Sequence, residues 1–224
     1  MKRYLPFIIV AAVALLTVGA AAMLYNSKRK SSSALAASSP AQTEESSKSA
    51  TAHVRGAADA PVTLEEFGDF QCPPCGQMAG PLRQIEKEYG KKLRVIFYNF
   101  PFDIHQHARA AAYAAEAAGL QGHFWEMHDL LYREQAAWSN APDAERLFES
   151  YATMLGLDIG RFRQDVQSEA VKQRVTADQQ LGASRGVKNT PTIFVNKHQL
   201  PPTSLGGSGV RQAIDHALAQ IPQR

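Results

Sequence analysis

Two cysteines, Cys72 and Cys75, are the residues of this 224-residue chain whose type and spacing point most directly to chemistry. They enclose two prolines, follow the apolar run Val62–Phe67 and open a helix-like pattern that extends from Pro73 to Tyr89. A helix N-terminus carries partial positive charge and free N–H groups, so it stabilises a thiolate and lowers the pKa of the thiol. Because the thiolate is the nucleophile of disulfide exchange, this placement predicts a redox-active pair.

Three other interpretations of the cysteine pair stay open at this point. A structural disulfide between the two would close only a tiny loop and add little by chain entropy. Half of a metal site would need further ligands, and no second cysteine pair or histidine at finger spacing follows. Two unrelated buried thiols are the third alternative. The pairs His105 and His107, and His123 and His128, have spacings that do not share one helix face, so we expect no metal there.

The elements that must position the cysteines can be predicted from hydrophobic periodicity. Apolar runs indicate strands, and apolar residues at three- and four-residue steps indicate helices. The predicted order is strand 62–67, helix 73–89, strand 93–100, helices over 105–186, strand 192–195, a short strand 198–200 and a last helix 210–221. This order predicts an α/β fold whose two halves flank an all-helical insertion near residues 101–185.

The N-terminal part has a different character. Residues 4–25 form an uncharged apolar run of 22 residues, long enough to cross a hydrocarbon core of about 30 Å. We therefore expect residues 1–30 to be a transmembrane anchor, the alternative being a cleaved signal peptide. Residues 31–60 are rich in Ser, Ala and Thr, which predicts a flexible linker. The folded domain is predicted to occupy residues 61–222.

Composition and charge narrow the functional class. The chain is 45% hydrophobic and 20% charged, which is typical of a globular protein. Its net charge is +3, but residues 1–30 hold five basic residues and no acidic one. The remainder is close to neutral, so nothing predicts binding to nucleic acid.

Three segments resemble one known family. Residues 67–75, Phe-Gly-Asp-Phe-Gln-Cys-Pro-Pro-Cys, resemble the active-site segment of DsbA-like thiol–disulfide oxidoreductases. Residues 186–196 are similar to the cis-proline loop and following strand of that family, and residues 123–131 to its helical insertion. The resemblance covers about residues 55–222 and implies a thioredoxin-like fold with an all-helical insertion between its halves.

The resemblance implies a role for five residues. Cys72 would be the attacking sulfur and Cys75 the resolving thiol. The Thr190–Pro191 peptide would be cis and face the sulfur pair. Glu66 would be a buried acid that relays a proton, the alternative being a solvated carboxylate at the end of the strand, like its neighbour Glu65. One departure concerns the two residues between the cysteines: strong oxidants of this type often carry a histidine there, whereas this chain has Pro73 and Pro74. The direction of the reaction therefore stays open.

The resemblance also implies a setting for the reaction. The protein would donate disulfides to exported proteins, the alternatives being a reductase or isomerase using the same site, or a non-catalytic module that binds client proteins. We expect the domain to face the periplasm or extracytoplasmic space from a bacterial cytoplasmic membrane, or to be soluble there after signal cleavage. A membrane redox partner would reoxidise it. We expect no metal or nucleotide cofactor, and a monomer.

Overall fold

The computed structural model describes residues 53–221. The strands are β1 His53–Gly56, β2 Val62–Gly68, β3 Leu93–Asn99, β4 Thr192–Val195 and β5 His198–Gln199. The helices are α1 Pro73–Tyr89, α2 Ala108–Gly119, α3 Phe124–Arg133, α4 Gln135–Trp138, α5 Ala144–Met154, α6 Ile159–Gln167, α7 Glu169–Ser184 and α8 Gly207–Ala219. Short 3-10 turns lie at Gly90–Lys92 and Pro202–Ser204.

The five strands form one mixed sheet in the order β1-β3-β2-β4-β5. The central strands β2 and β3 are parallel, whereas β4 is antiparallel to β2 and pairs Phe67 with Thr192. This register places the start of β4 beside the carboxyl end of β2, which leads into the cysteine segment. The sheet thus brings residues that are more than a hundred positions apart in the chain to one edge.

Helices cover both faces of the sheet. Side chains of α1 and α8 pack on one face against alternate residues of the strands, in a cluster that includes Val62, Leu64, Ile85, Val95 and Ile214. On the other face, α7 approaches closely at Gly182, where an added Cβ would lie 2.7 Å from an atom of Phe100. The core therefore has three layers, as the predicted order of elements requires.

The helices between β3 and β4 form a second core of their own. At its centre is the alanine-rich helix α2, whose small buried side chains allow α3, α6 and α7 to pack closely against it. Aromatic side chains fill the space around it, among them Phe124, Trp138, Phe148 and Phe162. This is the all-helical insertion expected from the sequence.

The structure corrects the predicted start of the folded domain. Residues 53–56 belong to the predicted linker, yet they form β1 and pair antiparallel with β3, so that His53 lies opposite Phe97. The strand is short and alternates half-buried with exposed side chains, so its own residues give little signal. It is held by backbone pairing and by His53, whose Nε2 lies 2.8 Å from Glu116 on α2.

The predicted apolar span at residues 4–25 lies outside the described residues, as do most of the predicted linker and the last three residues. Between residues 53 and 221, no helix combines the length and the apolar character needed to cross a membrane.

Candidate active site

Cys72 is the N-cap residue of α1. Its backbone is extended, with φ −69° and ψ 119°, and Pro73 and Pro74 occupy the first two helical positions. Proline suits these positions because the first N–H groups of a helix have no partner within it. The carbonyl of Cys72 accepts the first helical bond, from Gly76 N at 3.2 Å. The Cys72 side chain thus sits where the free amides of the helix point.

The two thiols are unpaired in the structure, and their environments differ. Cys72 retains 6% of its surface exposed, and Cys75 none. The pKa of Cys72 is lowered to about 6, chiefly by a hydrogen bond from the Cys75 thiol. Hydrogen bonds from the Thr190 side chain and the Cys75 backbone amide lower it further, whereas burial and the charge of Asp69 raise it. Burial and the same thiol contact raise the pKa of Cys75. Cys72 is therefore the thiol that ionises.

The loop before β4 faces Cys72. The Thr190–Pro191 peptide is cis, as the resemblance implied, and Pro191 is buried. The Thr190 carbonyl lies 3.3 Å from Cys72 Sγ and accepts the hydrogen bond of the thiol. The Thr192 hydroxyl donates to the Asn189 carbonyl across the loop at 2.7 Å. The structure therefore brings Cys72, Thr190 and Pro191 together.

Glu66 lies on β2, 4% exposed, on the same face as Val62 and Leu64. Burial raises its pKa to about 8, with smaller contributions from the charges of Glu86 and Cys72 and an opposing one from Arg55. In its charged form, Glu66 in turn raises the pKa of Cys75. Its Oε1 has no hydrogen-bond partner among the described residues. The alternative of a solvated carboxylate at the end of the strand does not fit this burial.

Comparison with known proteins places this site in a family. A family model described as Thioredoxin matches residues 48–216, about three quarters of the chain. The chain belongs to the thioredoxin family. Together with its structural neighbours, this match makes it a DsbA-like thiol–disulfide oxidoreductase, and the expected thioredoxin-like fold with a helical insertion is confirmed.

Solved structures of similar fold come from several bacteria. Oxidised BdbD from Bacillus subtilis is 25% identical, with a TM-score of 0.64 over 75% of this chain and 93% of that one. Alpha-DsbA1 from Wolbachia pipientis is 17% identical, with a TM-score of 0.65 over 77% and 95%. A periplasmic thioredoxin-like protein from Salmonella enterica is 20% identical, with a TM-score of 0.62 over 75% and 91%. The last two show the fold alone.

Curated relatives match this DsbA-like domain over only part of their own length. A Na(+)/H(+) antiporter NhaA 1 from Salinispora arenicola is 41% identical over 145 residues, which are 64% of this chain and 21% of the antiporter. One from Mycolicibacterium gilvum is 40% identical over 156 residues, 66% of this chain and 24% of the antiporter. The chain thus spans about a fifth to a quarter of the length of these relatives.

Asp69, which no sequence pattern singled out, organises the loop before the cysteines of this family member. Its buried carboxylate accepts hydrogen bonds from Gln71 N at 2.8 Å, Phe102 N at 2.9 Å and His105 Nδ1 at 2.6 Å. An aspartate that bonds the amide two residues ahead is a known turn former, so the segment Asp69–Gln71 held a local signal. The contacts with Phe102 and His105 join segments that are far apart in the chain, so no local sequence signal predicts them.

Glu65, interpreted as a solvated neighbour of Glu66, is also corrected. It is 9% exposed and accepts two hydrogen bonds from the Arg185 guanidinium, at 2.7 and 3.0 Å. Within residues 53–221, no three His, Cys, Asp or Glu side chains lie close enough to hold a metal ion. His105 bonds to Asp69, and His128 is buried among aromatic rings.

Proposed function

We propose that this oxidoreductase works as an oxidase that donates disulfides to exported proteins through Cys72 and Cys75. The observation that carries the proposal is the stabilised thiolate of Cys72, which lies at the start of α1 and has a pKa of about 6. Whatever stabilises the reduced form of a pair makes its disulfide a stronger oxidant. The helix amides and the Cys75 thiol supply that stabilisation here, without a histidine between the cysteines.

The reaction would begin when a substrate thiolate attacks Sγ of Cys72 in the disulfide form. The Cys72–Cys75 bond breaks, a mixed disulfide forms on Cys72, and Cys75 leaves with the electron pair. Cys75 then needs a proton because its thiolate is strongly disfavoured. Glu66, with a pKa of about 8, carries a proton at neutral pH and is the proposed source.

The second step would release the oxidised substrate. A second substrate thiolate attacks the substrate sulfur of the mixed disulfide, and Cys72 leaves as a thiolate. A low pKa makes a thiol a fast leaving group, which favours this direction. The net change is a two-electron oxidation of a substrate dithiol and reduction of the cysteine pair.

The loop of Thr190 and Pro191 is proposed to hold the substrate beside Cys72. Its backbone precedes β4 and borders the sulfur, so an extended substrate segment could pair with it as a strand. Specificity for particular sequences is not required, because backbone pairing is independent of side-chain type. This suits a protein that oxidises many unrelated substrates.

The setting of the reaction is part of the same proposal. We propose that the domain works on the extracytoplasmic side of the membrane, anchored by residues 4–25 or free after cleavage, as a monomer reoxidised by a membrane partner. Disulfides persist in that compartment. The fold that the chain shares with a periplasmic thioredoxin-like protein supports this placement.

The direction is tested by the reduction potential of Cys72 and Cys75 in the full protein, measured by equilibration with glutathione. We expect a value well above the roughly −270 mV of thioredoxin and toward the roughly −120 mV of DsbA. A value close to that of thioredoxin would instead assign a reductase. An unreactive Cys72, with no turnover of a dithiol peptide, would leave only the client-binding module. Unchanged exchange rates and pH profile in Glu66→Gln would remove Glu66 from the mechanism.

A further inference from the structure

Gln135, on the helical insertion, contacts the backbone on both sides of the cysteine loop. Its Nε2 donates to the carbonyl of Phe70 at 2.7 Å and to that of Cys72 at 2.9 Å. Gln135 begins the short helix α4, which ends at the fully buried Trp138, and the indole of Trp138 donates to the Leu131 carbonyl at 2.8 Å. The side-chain amide of Gln135 is thus presented from an anchored element.

Gln71 makes the opposite connection, from the cysteine loop to the insertion. Its Nε2 donates to the Ser139 carbonyl at 2.8 Å, one residue beyond α4, and its Oε1 accepts from His107 N at 2.6 Å. The residue immediately before Cys72 is therefore tied to the same short helix that carries Gln135. Two glutamines, one on each side of the boundary, fix the loop to the insertion.

Gly76 makes room for Gln135. A Cβ at this position would lie 2.8 Å from Gln135 Cδ and still closer to its Oε1. The position is in the first turns of α1, where alanine would otherwise be the better helix former. Gly80, one turn further along the same helix, has no atom within 4 Å of an added Cβ. The close approach is thus specific to Gly76.

We propose that Gln135 is a positioning residue for disulfide exchange: it fixes the Phe70–Gln71 and Cys72–Pro73 peptides so that the sulfur of Cys72 is held over the N-terminus of α1. Each of the two carbonyls that it binds belongs to a peptide next to Gln71 or Cys72, so rotation of either peptide would swing the cysteine side chain. The amide and thiol of Cys75 can stabilise the Cys72 thiolate only while Sγ keeps its place. The inference rests on the thiol–disulfide chemistry of the site and not on its direction.

The test starts with Gly76→Ala in the reduced protein, using the pH dependence of Cys72 alkylation as the readout. The added methyl group should push the tip of Gln135 off both carbonyls, and the midpoint should rise by about one pH unit, which means about ten-fold slower alkylation well below the midpoint. Gly80→Ala is the matched control and should leave the midpoint unchanged. An unchanged midpoint in Gly76→Ala would overturn the proposal, because a purely structural Gln135 would not affect the titration.

Gln135→Ala, alone and combined with Gly76→Ala, completes a double-mutant cycle. Alone it should raise the midpoint as Gly76→Ala does. In combination, Gly76→Ala should add no further shift, because no side-chain tip remains to be displaced. Shifts that simply add would show that the two variants act separately and would overturn the proposal. Circular dichroism and thermal melting establish that each variant is folded, and Gln135→Asn, shorter by one methylene, replaces Gln135→Ala if the latter does not fold.

Discussion

Two thiols three residues apart in this chain have pKa values displaced in opposite directions. As a thiolate, Cys72 receives hydrogen bonds and retains contact with solvent, whereas Cys75 donates its hydrogen bond inside the core. One proton shared between two sulfurs therefore favours a single arrangement, with the negative charge on Cys72. That asymmetry is what an exchange reaction needs, because only one sulfur should be attacked and only one should leave.

The first prediction concerns this division of labour. Cys72→Ser should abolish exchange with a dithiol peptide, because the remaining thiol, Cys75, is fully buried. Cys75→Ser should instead accumulate mixed disulfides on Cys72, because the resolving thiol is gone while the attacking thiolate remains. Non-reducing electrophoresis after acid quenching measures both. Equal trapping by the two variants would contradict the assigned roles.

The second prediction concerns Glu66, whose pKa rises from an ordinary 4.5 to about 8 on folding. Between these values the folded protein holds a proton that the unfolded chain has lost, so stability must fall as pH rises. Glu66→Gln removes this penalty and should be more stable than the parent at pH 8.5 by several kcal/mol, because a pKa difference of one between folded and unfolded states corresponds to roughly 1.4 kcal/mol. At pH 4.5 the advantage should vanish.

Urea unfolding of the reduced protein at the two pH values gives the comparison. A stability difference between Glu66→Gln and the parent that does not depend on pH would mean that Glu66 is charged in the folded state. Glu145, an exposed glutamate on α5, serves as the control through Glu145→Gln.

At the scale of elements, the predicted and observed boundaries agree where the signal is local. The strand at 192–195 and the helix at 73–89 match the prediction, because each has its own apolar pattern and, for the helix, a proline at its start. β1 escaped prediction because its stability comes from pairing with β3, forty residues later in the chain. The break at Ser168 between α6 and α7 was also missed, although Ser168 caps α7.

The same rule separates the predicted from the unpredicted parts of the site. The cysteines, Pro191 and Glu66 lie in segments with recognisable motifs, so the sequence identified them as candidates. The glutamine contacts and the Asp69–His105 pair depend on segments that meet only in the folded chain. Hydrogen bonds from such polar side chains leave no periodic trace in a sequence.

The third prediction tests β1 as an integral element. His53 stacks on Phe124, with ring centroids 3.4 Å apart, and contacts the buried Glu116 carboxylate. His53→Ala removes both contacts and should cost about 1–3 kcal/mol of unfolding free energy, because Glu116 loses a buried partner. Val54→Ala, at an exposed position of the same strand, is the control and should cost less than about 0.5 kcal/mol. Equal losses in both variants would show that β1 contributes only through its backbone.

At the scale of the whole molecule, the ionisation of Cys72 couples redox state to stability. Its pKa is about 6 when folded and 9 in an ordinary thiol, so the folded protein gains stability from the thiolate above pH 9 and loses that gain as pH falls through 6. The disulfide form has no thiolate and lacks this contribution. The disulfide closes only a small loop, so it adds little stability through chain entropy.

The fourth prediction follows from that coupling. Reduced protein should be more stable than Cys72→Ser by roughly 1 kcal/mol at pH 7, after allowance for solvent screening, and the difference should grow toward pH 9 and disappear near pH 5. Using Cys72→Ser as the reference removes most of the opposite trend from Glu66, because burial, which Cys72→Ser leaves in place, is the largest cause of the raised Glu66 pKa. Chemical denaturation across pH 5 to 9 under reducing conditions measures it. A difference in unfolding free energy that increased toward acidic pH would contradict a thiolate at Cys72.

Both outer strands of the sheet are poor templates for another chain. β1 has four residues and ends at Gly56, whose φ of 105° turns the backbone away, and β5 has two residues. Unpaired polypeptide segments tend to add to long, flat edge strands, which is a common route to aggregation. The short edge strands of this sheet therefore offer little backbone for such pairing, which limits aggregation through the sheet.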